Sequence, residues 1–252
     1  MTRFIVIIAI IIAVVLFVGG VVLIFAGGSA SFGITQQGGS EVTETRAVAN
    51  FSKIHLQGVG NLQISQGDQE ELTVTTDDRI MDLIETKVES ETLELSYKSN
   101  WLNWLKLVWV GRDVNFNVKV KNLNEIRISG SGEVNGKEIN SSKMLINING
   151  SGKVDMSVDV LELESIISGS GNFNLSGYAD KQTITINGSG KYLARELATK
   201  ESVVTINGSG NAELNTQDKL NITISGSGKI DYLGSPQVDQ KISGSGEINQ
   251  IN

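Results

Sequence analysis

The sequence predicts an all-β fold, a parallel β-helix (solenoid) with coils of 18–20 residues, preceded by one N-terminal transmembrane helix. Three observations carry that prediction. Gly-Ser-Gly occurs seven times, starting at Gly130, Gly150, Gly169, Gly188, Gly208, Gly226 and Gly244, and so regular a spacing marks a stacked repeat. Two residues before each triplet stands an isoleucine (Ile128, Ile148, Ile167, Ile186, Ile206, Ile224, Ile242), and two residues after it stand Val134, Val154, Phe173, Tyr192, Ala212, Ile230 and Ile248. Finally, residues 4–26, FIVIIAIIIAVVLFVGGVVLIFA, run for 23 residues without a charge, against the roughly 20 that cross a hydrocarbon core.

Taken in order, residues 1–3 are a cytoplasmic N-terminus and residues 4–26 a membrane anchor. A cleavable signal peptide is the rival reading, but its apolar core spans only about 7–15 residues. Arg3 precedes the span, and the first basic residue after it is Arg46, beyond Glu41 and Glu44. The positive-inside rule therefore places the rest of the chain outside the cell membrane, at the cell surface or in a periplasm. Residues 27–50 are rich in Gly, Ser, Thr and Gln with little periodicity and read as a flexible tether.

Residues 51–128 read as N-terminal coils or a cap. KIHLQGVGNLQIS repeats the inward pattern with Ile54, Leu56, Gly58, Gly60, Leu62 and Ile64, and Val59 occupies the serine slot. ELTVTTDD, TLELSYK and DVNFNVKV alternate as strands do, and DRIMDLIETKV is predicted as a short helix. WLNWLKLVWV holds all three tryptophans, Trp101, Trp104 and Trp109, around a single charge, Lys106. Two readings stay open for it: a plug for the core, or an exposed patch that touches membrane or a partner.

Residues 129–252 are the Gly-Ser-Gly β-helix. Period-two alternation places the isoleucine, both glycines and the following apolar residue on the inner face. The outer face then carries two columns. One is Ser129, Asn149, Ser168, Asn187, Asn207, Ser225 and Ser243; the other is Ser131, Ser151, Ser170, Ser189, Ser209, Ser227 and Ser245. The triplet serines with Asn149, Asn187 and Asn207 are the candidate surface-binding residues, and the seven leading glycines are structural. An antiparallel meander turning at NGKEINSS, LSGYADKQ, NTQDK and LGSPQ is the alternative. A meander does not need the same residue at the same level of every repeat, whereas stacking in register does.

Composition narrows the chemistry. A net charge of -7 and a pI near 4.9 argue against a nucleic-acid partner. The absence of cysteine removes thiol catalysis, thiolate metal sites and disulfides. The one histidine, His55, sits between two apolar residues in KIHLQ and reads as an exposed strand residue. The residues three beyond each triplet (Asn135, Asp155, Asn174, Leu193, Glu213, Asp231, Asn249) include three carboxylates, which read as solvated strand faces rather than an acid/base pair. No cofactor, metal or catalytic residue is expected. The last strand, GSGEINQIN, offers an uncovered coil edge, which predicts homo-association through the C-terminal coil.

From FSKIHLQGVGNLQISQGD through LNITISGSGKIDYLGSPQVDQKISGSGEI the chain resembles the auto-transporter adhesins with a head GIN domain. The resemblance implies a bacterial cell-surface β-solenoid, adhesin-like, with no catalytic residues to carry over. The tryptophan-rich stretch has no counterpart in that pattern. The combined expectation is a non-catalytic, membrane-anchored surface protein that binds a glycan or protein through its polar columns. The alternative is a self-associating scaffold of the cell envelope, and a polysaccharide-acting enzyme ranks behind both.

Overall fold

The computed structural model describes residues 39–98 and 114–251. The predicted anchor at 4–26 and the tryptophan stretch lie outside the described residues. Among the described residues no helix is long and apolar enough to cross a membrane.

The described chain is built from strands: β1 (Glu41–Arg46), β2 (Lys53–Gly58), β3 (Asn61–Gln66), β4 (Glu71–Asp77), β5 (Ile84–Glu89), β6 (Thr92–Tyr97), β7 (Asn115–Val120) and β8 (Glu125–Gly130) come first. Five long segments follow, β9 (Glu133–Gly150), β10 (Lys153–Gly169), β11 (Asn172–Gly188), β12 (Lys191–Gly208) and β13 (Asn211–Gly226), and then β14 (Lys229–Leu233), β15 (Gln237–Gly244) and β16 (Glu247–Gln250). Each long segment is one coil, bent midway. Gly177 takes a φ of 104° at that bend in β11, Glu138 one of 55° in β9, and the inter-coil register shifts there, as between Met156 and Val158. Every pairing from β9 to β16 is parallel, which rules out the hairpin meander.

The glycines divide into two kinds, which corrects the expectation that both point inward. The leading glycine of each triplet adopts φ between 124° and 133°. A Cβ on Gly188 would stand 2.4 Å from the carbonyl oxygen of Gly169, so its missing side chain faces along the stack, into the neighbouring coil. Only glycine tolerates both conditions. The second glycine is buried in every triplet but the last. A Cβ on Gly190 would stand 2.6 Å from Cγ2 of Ile167, one coil back, and the same contact recurs between Gly210 and Ile186 and between Gly228 and Ile206. Isoleucine and glycine thus fill one another's space between coils. The serine between them donates its backbone N–H to the preceding coil's leading glycine, as from Ser189 to Gly169 at 2.9 Å, and turns its side chain outward.

Inside the coils the seven isoleucines and the apolar residues after the triplets form the core, apart from the exposed Ile242 and half-buried Ile248 of the last coil. Phe173 and Tyr192 stack on successive coils with ring centroids 5.6 Å apart. A polar network interrupts this core. Gln182 accepts from the Tyr192 hydroxyl at 3.1 Å and donates to Ser202 Oγ at 2.8 Å, and Ser202, Thr199 and Thr216 bond one another. Burial pushes the Tyr192 phenol up, so it stays a neutral donor.

Chain order and stacking order differ at the N-terminal end. β2 and β3 form a coil that pairs on one side with β8 and β9, and on the other with β6 and β7. The coil at 53–66 therefore lies between two coils that come later in the chain. Gln66 completes it at the corner: its amide donates to Lys121 O and Asn140 O, both at 3.0 Å, and accepts from Asn140 N at 2.8 Å. Beyond the β6–β7 coil the strands run antiparallel, β5 on β6, β4 on β7 and β1 on β4. Residues 41–46, read from sequence as tether, belong to this cap as β1, with Arg46 bonded to Ile84 O at 2.9 Å. The helix expected in DRIMDLIETKV is a single 3-10 turn, Met81–Leu83, after which β5 begins, because Ile84 is buried and its strand pairs with β6.

Candidate functional site

Parallel stacking turns each repeat position into a file of side chains about 4.8 Å apart. All seven triplet serines are exposed, and so are Asn149, Asn187 and Asn207. The second file runs Gln57, Ser129, Asn149, Ser168, Asn187, Asn207, Ser225, Ser243 in unbroken register. Within it Asn207 donates to the Asn187 amide oxygen at 2.9 Å, a rung of an asparagine ladder. The structure thus brings together the columns read from the sequence. The leading glycines hold the corners on which both columns turn.

A second polar face lies just past the corner, and the sequence reading passed over it as a site. Asn117, Gln63, Asn135, Asp155 and Asn174 align across five strands, beside Asn115, Asn61, Glu133, Lys153 and Asn172. Asn61 donates to Asn115 at 3.1 Å and Asn174 to Asp155 at 3.0 Å. Shallow hollows open on this face, one of about 400 Å³ lined by Asn61, Gln63, Asn115, Asn117 and Asn135, and one of about 280 Å³ lined by Gln63, Asn135, Asp155 and Ser157. The signal was present at the residues three beyond each triplet, but it continues into strands that carry no triplet.

The carboxylates on this face are occupied. Glu213 and Asp231 face one another in register on β13 and β14, yet Arg195 pairs with Glu213 and Lys229 with Asp231 at 2.9 Å. Burial raises the Asp231 carboxyl, but hydrogen bonds from Lys229 and Asn249 outweigh it and hold the group below the usual carboxylate range. Held in that form, Asp231 has no proton to give a glycosidic leaving group. No metal-binding cluster of acidic or histidine side chains occurs among the described residues. His55 departs from its reading as an exposed residue: it is half-buried between β6 and β8.

The fold is shared with solved structures. A putative adhesin from Bacteroides fragilis is 24% identical, with a TM-score of 0.75 over 84% of this chain and 97% of that one. A putative lipid binding protein from Parabacteroides distasonis is 24% identical, with a TM-score of 0.67 over 85% of this chain and 98% of that one. A putative adhesin from Parabacteroides merdae is 23% identical, with a TM-score of 0.62 over 85% and 97%. No curated protein matches the chain. The family model described as putative auto-transporter adhesin, head GIN domain, matches residues 50–236, from just before β2 to the bend between β14 and β15, and the chain belongs to that family.

Proposed function

We propose that this is an adhesin-like protein of the cell surface, held in the cell membrane by residues 4–26 with its solenoid on the extracytoplasmic side, that binds a surface glycan through the polar columns at its corner. The observation that supports this reading is the unbroken file from Gln57 to Ser243 beside the seven exposed triplet serines. It is a rigid array of hydroxyls and amides at strand spacing, matched to a ligand that itself repeats hydroxyls. Serine and asparagine are adaptable hydrogen-bonding groups in binding surfaces, and the rigid backbone beneath them lowers the ordering cost of binding. Trp101, Trp104 and Trp109 provide a further membrane or partner contact in this reading.

The test is binding of the full chain to intact cells and to an array of envelope glycans, beside a variant carrying Ser151→Lys, Ser189→Lys and Ser227→Lys. Saturable binding lost in the variant is the expected result. Loss instead in Asn61→Ala/Asn135→Ala, with the serine variant unaffected, would move the site to the amide face; no saturable binding to any glycan or cell would sink the reading.

Self-association is a second reading, and one observation favours it. In β15, the outer strand of the last described coil, Ile242 is 41% exposed while its six counterparts in earlier coils are buried.

A further inference from the structure

The crossover at the cap brings together three residues that lie far apart in sequence. Glu94 on β6, His55 on β2 and Ser129 on β8 occupy three adjacent strands. Ser129 Oγ lies 2.9 Å from His55 Nε2, and Glu94 Oε2 lies 3.1 Å from His55 Nδ1. The Gln57 amide donates to the same Glu94 oxygen and stands 3.3 Å from Nδ1. The His55 and Glu94 side chains keep only 15% and 19% of their exposure. Arg127, the cross-strand neighbour of His55, is turned to Glu125.

We propose that Ser129, His55 and Glu94 form a nucleophile, general base and orienting carboxylate that hydrolyse carboxylic esters at the corner of the solenoid. The connectivity is that of an acyl-transfer triad, with the acid on one imidazole nitrogen and the hydroxyl on the other. With Glu94 ionised, Nδ1 carries the proton and Nε2 is left as acceptor for the hydroxyl. Ser129 Oγ attacks the ester carbonyl carbon as its proton passes to Nε2. The ester C–O bond then breaks, and the alcohol leaves with that proton. Water attacks the acyl-serine, His55 again takes the proton, and release of the acid returns Ser129 to its hydroxyl form. Glu94 remains a carboxylate throughout and acts as a positioning residue.

The repeat supplies its own controls. Ser168, Ser225 and Ser243 hold the same place in later coils, where the position of His55 is taken by Asn147, Thr205 and Thr223. His55 is the sole histidine of the chain. The experiment is reaction of the full chain, purified without a histidine tag, with a fluorophosphonate, followed by peptide mapping, and turnover of p-nitrophenyl acetate. The expected result is an adduct on Ser129 well above Ser168, Ser225 and Ser243, lost in Ser129→Ala and His55→Gln, with ester turnover falling about 100-fold or more in each. No preference for Ser129 in the unmodified chain would overturn the proposal without recourse to any variant. Nitrogen-15 spectra of the single imidazole test the role of Glu94: the proton should sit on Nδ1 and redistribute toward Nε2 in Glu94→Gln. A proton already on Nε2 in the native chain would remove the base and the proposal with it.

Discussion

At each corner three consecutive residues answer to three separate constraints. The leading glycine is fixed by the sign of φ and by the carbonyl of the coil behind it, the serine by solvent, and the second glycine by an isoleucine methyl. Replacing Gly210 with alanine forces a methyl against Ile186 Cγ2 at 2.6 Å, an overpacking that costs about 1–3 kcal/mol. Ile186→Ala alone opens a cavity, at about 2–5 kcal/mol. The double variant should be less destabilised than the sum, by about 0.5–3 kcal/mol, because each change relieves the other. Urea unfolding of the four proteins checks this, and strict additivity would refute the interlock. The triplets and isoleucines were plain in the sequence, but alternation counts positions and carries no sign of φ. That is why it turned the leading glycine inward. His55 was misread for a related reason: its neighbours in space are 39 and 74 positions away, and nothing local announces them.

The long strands of the repeat, β9 to β13, were legible because each carries four or more inward apolar positions, alternating on either side of its bend. β1 and β5 were not, whereas β4, with its alternation ELTVTTD, was. β1 reads EVTETR, with one apolar residue, and owes its place to pairing with β4 rather than to a hydrophobic stripe. At the far end of β4, Asp77 accepts hydrogen bonds from Arg79 Nε at 2.8 Å and from its Nη2 at 2.6 Å, and the Arg79 guanidinium holds this carboxyl down at about 2. A carboxyl depressed in the folded state stabilises it above the ordinary aspartate range near 4, and that contribution disappears as pH falls toward 2. Asp77→Asn should therefore melt below the native protein at neutral pH, with a gap that narrows between about pH 4 and 2. Thermal melts across that range measure it, and a gap undiminished at pH 2 would mean the ion pair is not its source.

For the molecule as a whole, the two ends of the described solenoid are unlike. One ends in β1 and β5, six-residue antiparallel strands carrying EVTETR and IETKVE, whose charges discourage further pairing. The other ends in β15 and β16, parallel strands that continue the register of the coils beneath them. The self-association proposed above, through β15 and β16, would join like end to like end and close at two copies, because the charged antiparallel strands of the other end discourage its propagation. Sedimentation of the full chain in detergent should show a concentration-dependent dimer that Ile242→Lys shifts to monomer; either monomer at every concentration or open-ended polymer would refute this. Coil length and parallel stacking could be read from the repeat because one unit predicts the next. The stacking of residues 53–66 could not, since a lone degenerate copy does not say which later strands will enclose it.

That enclosure bears on how the protein is made. A chain that emerges from its N-terminus synthesises the 53–66 coil first, yet the strands on either side of it, 92–97 and 115–120 on one and 125 onward on the other, follow only after a detour through the cap. The coil cannot serve as the template on which the rest winds up turn by turn. It must wait, with Leu56, Leu62 and Ile64 uncovered, until some sixty further residues have appeared, and the order of synthesis is thereby uncoupled from the order of assembly.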